Sequence, residues 1–215
     1  MKAEVHTRGP ASGPAVICMN GGRAAAVDGT WSASLEWLVQ HLAPRFPQLR
    51  FAELKYRIKS WRHFDSCLED AREALDRVDA ERTLLLGFSM GGAVAFSVAD
   101  DPRVEAVLGL APWIPGEVSV VPLRGRRLDV IHGSLDRSLP GIPGVSPANS
   151  RAGFDRAQAL GVPGSYTLIR GALHAIALRD GRPVPLPRAR TWLNHVSTRL
   201  EPFACYPGGN AQKGV

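Results

Sequence analysis

The feature that most constrains this chain is an alternation of short apolar runs with helical patterns, repeated about six times. Residues 14–20 (PAVICMN), 49–56, 83–88, 104–110 (VEAVLGL), 127–132 (RLDVIH) and 165–169 read as strands. Between them lie helical segments. Thr30 is the expected N-cap of the first, where Trp31, Leu35, Leu38 and Leu42 recur at helical spacing until Pro44. Phe64, Leu68, Ala71, Leu75 and Val78 form an apolar stripe, with Glu73 and Arg77 paired at i,i+4 on its flank. Residues 90–99, 150–160 and 189–200 supply further helices. Strands that are apolar on both faces belong in a sheet covered by helices on both sides. The predicted fold is therefore a three-layer α/β/α sandwich around a mostly parallel sheet of about six strands. It forms one domain over residues 1–201, and residues 202–215, where periodicity fails, are expected to be a loose tail.

Composition narrows the function classes. The net charge is +6, but arginines alternate with acids, as in LEDAREALDRVDAER, and no run of like charge or zinc-finger spacing appears. No nucleic-acid partner is expected. Nothing approaches the ~18 apolar residues of a membrane span, and the N-terminus lacks a signal-peptide core. Three scattered cysteines fit a reducing compartment, so a cytoplasmic location is expected, with Cys18 and Cys67 as buried thiols. No metal-ligand or nucleotide fingerprint is present, so neither metal nor cofactor is implied.

In parallel sheets, ligands sit beyond the C-terminal ends of the strands. Four loops there carry chemistry: MNGGR, FSMGG, HGSLDRSLP and RGALHAI. Residues 87–91 (GFSMG) match G-x-S-x-G directly after an apolar strand and before an alanine-rich helix, the setting of a nucleophile elbow. Gly87 and Gly91 clear space around Ser89, which then faces a helix N-terminus. A serine hydroxyl needs a base, and the base needs a group that fixes its tautomer. Of six histidines, His6 lies near the terminus, His41 and His63 beside early helices, His132 at a strand end and His195 in the last helix. His174 alone follows the last strand and lies downstream of a suitable acid. Asp136, in the loop after the fifth strand, is the acid, with Glu117 the runner-up.

On these motifs the chain resembles the α/β-hydrolase superfamily, in particular small lidless serine esterases and dienelactone-hydrolase-like proteins. Ser89, Asp136 and His174 follow that family's nucleophile–acid–histidine order. The resemblance implies that the Met90 N–H supplies one oxyanion donor. The second comes from the turn after the first strand, where Gly22 is the donor and Arg23 the neighbour that can replace it. Two departures are expected in the fold. One or both of the family's N-terminal antiparallel strands should be missing. The short stretch APWIPGEVSVVPLRGRR leaves no room for a lid domain. A serine nucleophile argues against true dienelactone hydrolase chemistry.

The expected activity is hydrolysis of a small carboxylic ester, or a thioester, through a Ser89 acyl-enzyme. Trp113 and Ile114 are candidate walls of an acyl pocket or packing residues of the adjacent loop. Arg23 and Arg57 are candidates for holding a carboxylate or phosphate. Acyl transfer with the same triad and a non-catalytic ligand binder of this fold remain the alternatives.

Overall fold

The computed structural model describes residues 2–137 and 144–205. Residues 138–143 of the predicted acid loop and 206–215 of the predicted tail lie outside the described residues. In chain order the strands are β1 (Glu4–Arg8), β2 (Ala15–Met19), β3 (Arg50–Lys55), β4 (Thr83–Phe88), β5 (Val104–Leu110), β6 (Arg127–Gly133), β7 (Gly164–Ile169), β8 (Ala177–Asp180) and β9 (Arg182–Pro185). The helices are α1 (Ala33–Leu42), α2 (Phe64–Val78), α3 (Met90–Ser97), α4 (Pro147–Ala159) and α5 (Ala189–Cys205). Seven strands form one sheet in the order β1-β3-β2-β4-β5-β6-β7, all parallel except β1.

The period-2 pleat divides the apolar residues between two cores. Leu84 and Leu86 of β4 join Val16, Phe51, Leu108 and Ile131 on the face covered by α1 and α5. Leu85 points the other way, with Ile17, Leu54 and Val130, against α2, α3 and α4. Burying one such leucine contributes about 1.5–3 kcal/mol. The predicted Glu73–Arg77 pair on α2 does form, at 2.5 Å, but both side chains are over 40% exposed or close to it. An exposed pair of that kind contributes about 0.3–0.5 kcal/mol. The cores, not the surface charges, fix the sheet.

The differences from expectation have local causes. One N-terminal antiparallel strand is present: β1 pairs with β3, His6 opposite Glu53, and the His6 ring meets Trp31 at 6.0 Å. Helix α1 is capped by Ser32, whose hydroxyl accepts the Leu35 N–H at 3.3 Å, so Thr30 and Trp31 precede it. A hairpin, β8–β9, follows the last sheet strand. Helix α5 runs through Pro202 to Cys205, because Phe203 is buried and stacked by Arg82 at 5.1 Å. Residues 202–205 are thus helical rather than loose. Between β5 and β6 there is only a 3-10 turn at Val121–Leu123, so no lid domain is inserted there. No helix among the described residues is long and apolar enough to cross a membrane.

One buried carboxyl has no direct partner. Glu53 is 5% exposed, and its carboxyl has no hydrogen bond or ion pair among the described residues. Burial, reinforced by Glu36, pushes it up to about 7 against the opposing pull of Arg8 and Arg179. A carboxyl raised on folding stabilises the protein least where the unfolded chain is ionised. Stability is therefore lost as pH rises from about 4.5 through 7. Glu53→Gln should raise unfolding free energy at pH 8 by about 2–3 kcal/mol and leave it nearly unchanged at pH 4, as read by denaturant titration.

Candidate active site

The elbow predicted at residues 87–91 is present, and its geometry explains its glycines. Ser89 follows β4 with φ 56° and ψ −122°, a conformation costly for any residue with a Cβ. Its backbone is held on both sides: Ser89 N–H donates to Leu110 O at 3.0 Å, and Ser89 O accepts from Trp113 and Gly92, each at 2.9 Å. The turn is so tight that a Cβ on Gly87 would strike the Gly91 carbonyl oxygen, and one on Gly91 the Met19 carbonyl oxygen. Helix α3 begins at the next residue, Met90.

The turn after β2 lies directly against the elbow. A Cβ on Gly21 would come 3.1 Å from Ser89 Cβ, and one on Gly22 would meet the Met90 side chain. Asn20 is buried and shapes this turn: its Nδ2 donates to Thr30 O at 2.7 Å, while its Oδ1 accepts the Gly21 N–H at 2.7 Å. The N–H groups of Gly22 and Met90 have no hydrogen-bond partner among the described residues.

Asp136 and His174 are brought together by two stitched loops. Ser134 N–H donates to Ile169 O at 3.0 Å, Leu135 N–H to Ala172 O at 2.9 Å, and Gly171 N–H to Ser134 Oγ at 2.9 Å. His174 Nδ1 then lies 2.6 Å from Asp136 Oδ2. The carboxylate accepts, so Nδ1 carries the proton and Nε2 keeps its lone pair. The His174 ring packs on Phe88, the neighbour of Ser89, with centroids 5.0 Å apart. No hydrogen bond joins His174 Nε2 to Ser89 Oγ in this structure. Such contacts often tighten only with substrate bound.

Asp136 is buried, with Oδ1 accepting the Val145 N–H at 3.0 Å and Oδ2 also 2.9 Å from His132 Nε2. Burial alone would raise this carboxyl. The hydrogen bonds from His132 and His174, and the positive charge those rings can carry, outweigh it and hold the carboxyl below its ordinary range. From the sequence His132 is a strand-end residue, and its one signal is its spacing, four residues before Asp136 across a turn.

The remaining candidates separate. Glu117, the alternative acid, is exposed beyond β5. Ile114 is buried against Gly153 of α4, a packing role. Trp113 is half-buried beside the elbow and is joined by two residues to which the sequence gave no role in the site. Trp61 and Phe64 each lie 6.4 Å from it between ring centroids. Arg57 is spent elsewhere: its Nε donates to Asp70 at 2.5 Å and its Nη2 to Glu69 at 2.7 Å, both on α2. Those bonds raise its already high pKa. Arg23 is exposed and has no ion pair among the described residues. Beside it, burial and then the Arg23 charge pull the Lys59 ammonium down to about 8. No three of the described His, Cys, Asp and Glu side chains converge as a metal ion would require.

No protein-family model matches the chain, and no curated protein matches it. Solved structures do. An alpha/beta hydrolase enzyme from a Medee basin deep-sea metagenome library superposes with a TM-score of 0.66 at 16% identity, covering 91% of this chain and 86% of that one. A thermophilic esterase from Thermogutta terrifontis with propionate bound gives 0.65 at 14% identity, over 100% and 93%. An alpha-beta serine hydrolase homologue from Coxiella burnetii gives 0.62 at 17% identity, over 92% and 91%. The chain has the α/β-hydrolase fold, with one antiparallel strand at the edge of its sheet and no domain between β5 and β6.

Proposed function

We propose that this protein is a serine hydrolase that cleaves a small carboxylic ester, or a thioester, through an acyl-enzyme on Ser89. The observation that carries this reading is a strained, half-exposed serine whose chain neighbour Phe88 packs on a histidine, the proton of that histidine being held by a buried carboxylate. In the reading, His174 Nε2 takes the Ser89 proton as Oγ attacks the carbonyl carbon. The oxyanion is met by the unpartnered N–H groups of Met90 and Gly22, at the head of α3. His174 then gives the proton to the departing alkoxide or thiolate. Water repeats the sequence on the acyl-enzyme and returns Ser89 to its hydroxyl form. The esterase and hydrolase neighbours support hydrolysis at the level of the fold.

Trp113, with Trp61 and Phe64, is the proposed apolar wall beside the reacting carbon. Arg23 and Lys59 place two neighbouring cations at the same rim without a carboxylate partner, which suits a substrate carrying its own anionic group. An ester bearing a carboxylate should therefore have a lower KM than its neutral isostere, and added salt should shrink the difference. With no domain over the site between β5 and β6, short soluble acyl groups should be preferred.

Labelling with a fluorophosphonate tests the nucleophile directly. The probe should modify Ser89, whereas a non-catalytic binder would resist it. Competing alcohols then separate hydrolysis from acyl transfer by their products. The oxyanion donors are tested at Gly22: a valine there would displace the Met90 side chain and shift the turn. We expect Gly22→Val to lower kcat by roughly 10²–10³-fold with little change in melting temperature. Unchanged kcat would move the donor elsewhere.

A further inference from the structure

His132 closes β6 and is completely buried. A buried imidazole is costly unless its nitrogens are satisfied. Here both are. Nε2 lies 2.9 Å from Asp136 Oδ2 and 2.9 Å from the Val145 carbonyl oxygen. Both are acceptors, so Nε2 carries a proton shared between them. Nδ1 lies 2.6 Å from Ser150 Oγ. That hydroxyl is 2.9 Å from the Tyr166 hydroxyl and 3.1 Å from Pro147 O, and Tyr166 itself lies 3.0 Å from Pro147 O. One set of protons serves these contacts. The Tyr166 O–H is shared between Ser150 Oγ and the Pro147 carbonyl, Ser150 donates to His132 Nδ1, and His132 donates from Nε2 to Asp136.

We infer that His132 is a positioning residue, a second histidine that clamps the reactive oxygen of Asp136 from its buried side. The inference rests on the reading of Asp136 and His174 as acid and base. Asp136 Oδ2 is gripped by two imidazoles, and Oδ1 by the Val145 N–H. The carboxylate is therefore fixed toward His174 before any substrate arrives. Ser150, on α4, sets the tautomer of His132 as Asp136 sets that of His174. His132 also takes a share of the carboxylate's charge, which weakens the support Asp136 gives to a protonated His174.

The charged surroundings do not supply that effect by another route. Beyond Tyr166, α4 carries Arg151, with its guanidinium 5.2 Å from the Tyr166 ring centre, and Asp155, which is paired to Arg151 at 2.9 Å. Helix α3 has no titratable side chain, and at this level on this face of the sheet β5 offers only Val107 and Gly109.

His132→Gln and His132→Leu test the clamp, because a glutamine amide can still donate to Asp136 and leucine cannot. His132→Leu should lower kcat about 10- to 100-fold, with KM changed by less than about twofold. The acid limb of its kcat/KM profile should move to higher pH. His132→Gln should recover most of kcat and the original limb. An unmoved limb with full kcat in His132→Leu overturns the clamp, as does a glutamine variant no better than leucine. A measurement on the unaltered protein guards against misfolding of either variant. Nitrogen-15 NMR near neutral pH should find His132 as the Nε2–H tautomer, and the Nδ1–H form would overturn the clamp. That signal needs no turnover. Activity retained by Ser89→Ala would thus sink the hydrolase reading while the clamp is judged separately.

Discussion

Ser89→Ala should lower turnover of a short-chain aryl ester by roughly 10⁴-fold or more. The hydroxyl is the only group on the elbow that can form the acyl-enzyme, and nothing replaces it once the Cβ ends in a methyl. The protein should fold as before, since the Ser89 side chain makes no hydrogen bond among the described residues that alanine would forfeit. What holds the elbow is its backbone, through Leu110, Gly92 and Trp113. A companion substitution separates strain from chemistry. With φ at 56°, Ser89→Gly should also be inactive but should exceed Ser89→Ala in unfolding free energy by about 1 kcal/mol. Near-full activity in purified Ser89→Ala would remove Ser89 from the mechanism. Equal stability of the two variants would show that the elbow is not strained.

His174→Ala should be almost as severe, because an un-ionised serine is a poor nucleophile without a base. Asp136→Asn should be milder, though still a loss of roughly 10³-fold. An asparagine there must turn an N–H₂ group toward at least one of three donors, His132, His174 or the Val145 N–H. It therefore disturbs the tautomer of the base without removing it. In the unaltered protein, kcat/KM should be low in acid, where the base holds a proton it must lose, and should rise with pH to a plateau. A flat profile between pH 5 and 8 would count against His174. Stability gives a second reading of Asp136. Its carboxyl is lowered on folding, so its contribution is present above the ordinary carboxyl range and is lost as pH falls through the folded value. The stability gap between the protein and Asp136→Asn should close at low pH.

Much of the fold was legible because burial on both faces leaves a plain mark on sequence. Residues 83–88 and 104–110 read as strands at the bounds the structure has, since a central parallel strand admits hardly any polar side chain. β1 and the β8–β9 hairpin left no such mark. EVHTR is an edge strand with most residues exposed, held by its ladder to β3 rather than by an apolar stripe. RPVP contains two prolines, which argue against a strand, yet it needs only one partner. Pro202 misled for the opposite reason. A local helix stop was outweighed by the burial of Phe203 one residue later.

The sequence by itself determined that a serine would stand between glycines at the end of a buried strand. It also ordered an acid and a histidine on later loops of the same sheet edge. These are local signals, of steric room at Gly87 and Gly91 and of loop position for Asp136 and His174. Only the tertiary structure decided which side chains meet. It gave Arg57 to Asp70 and Glu69 and left Arg23 beside Lys59. It gathered Trp61 and Phe64 around Trp113 and set His132, Val145 and Ser150 behind Asp136. Such pairings join residues from different elements, and spacing along a chain carries no record of them until the two cores have fixed where each strand and helix lies.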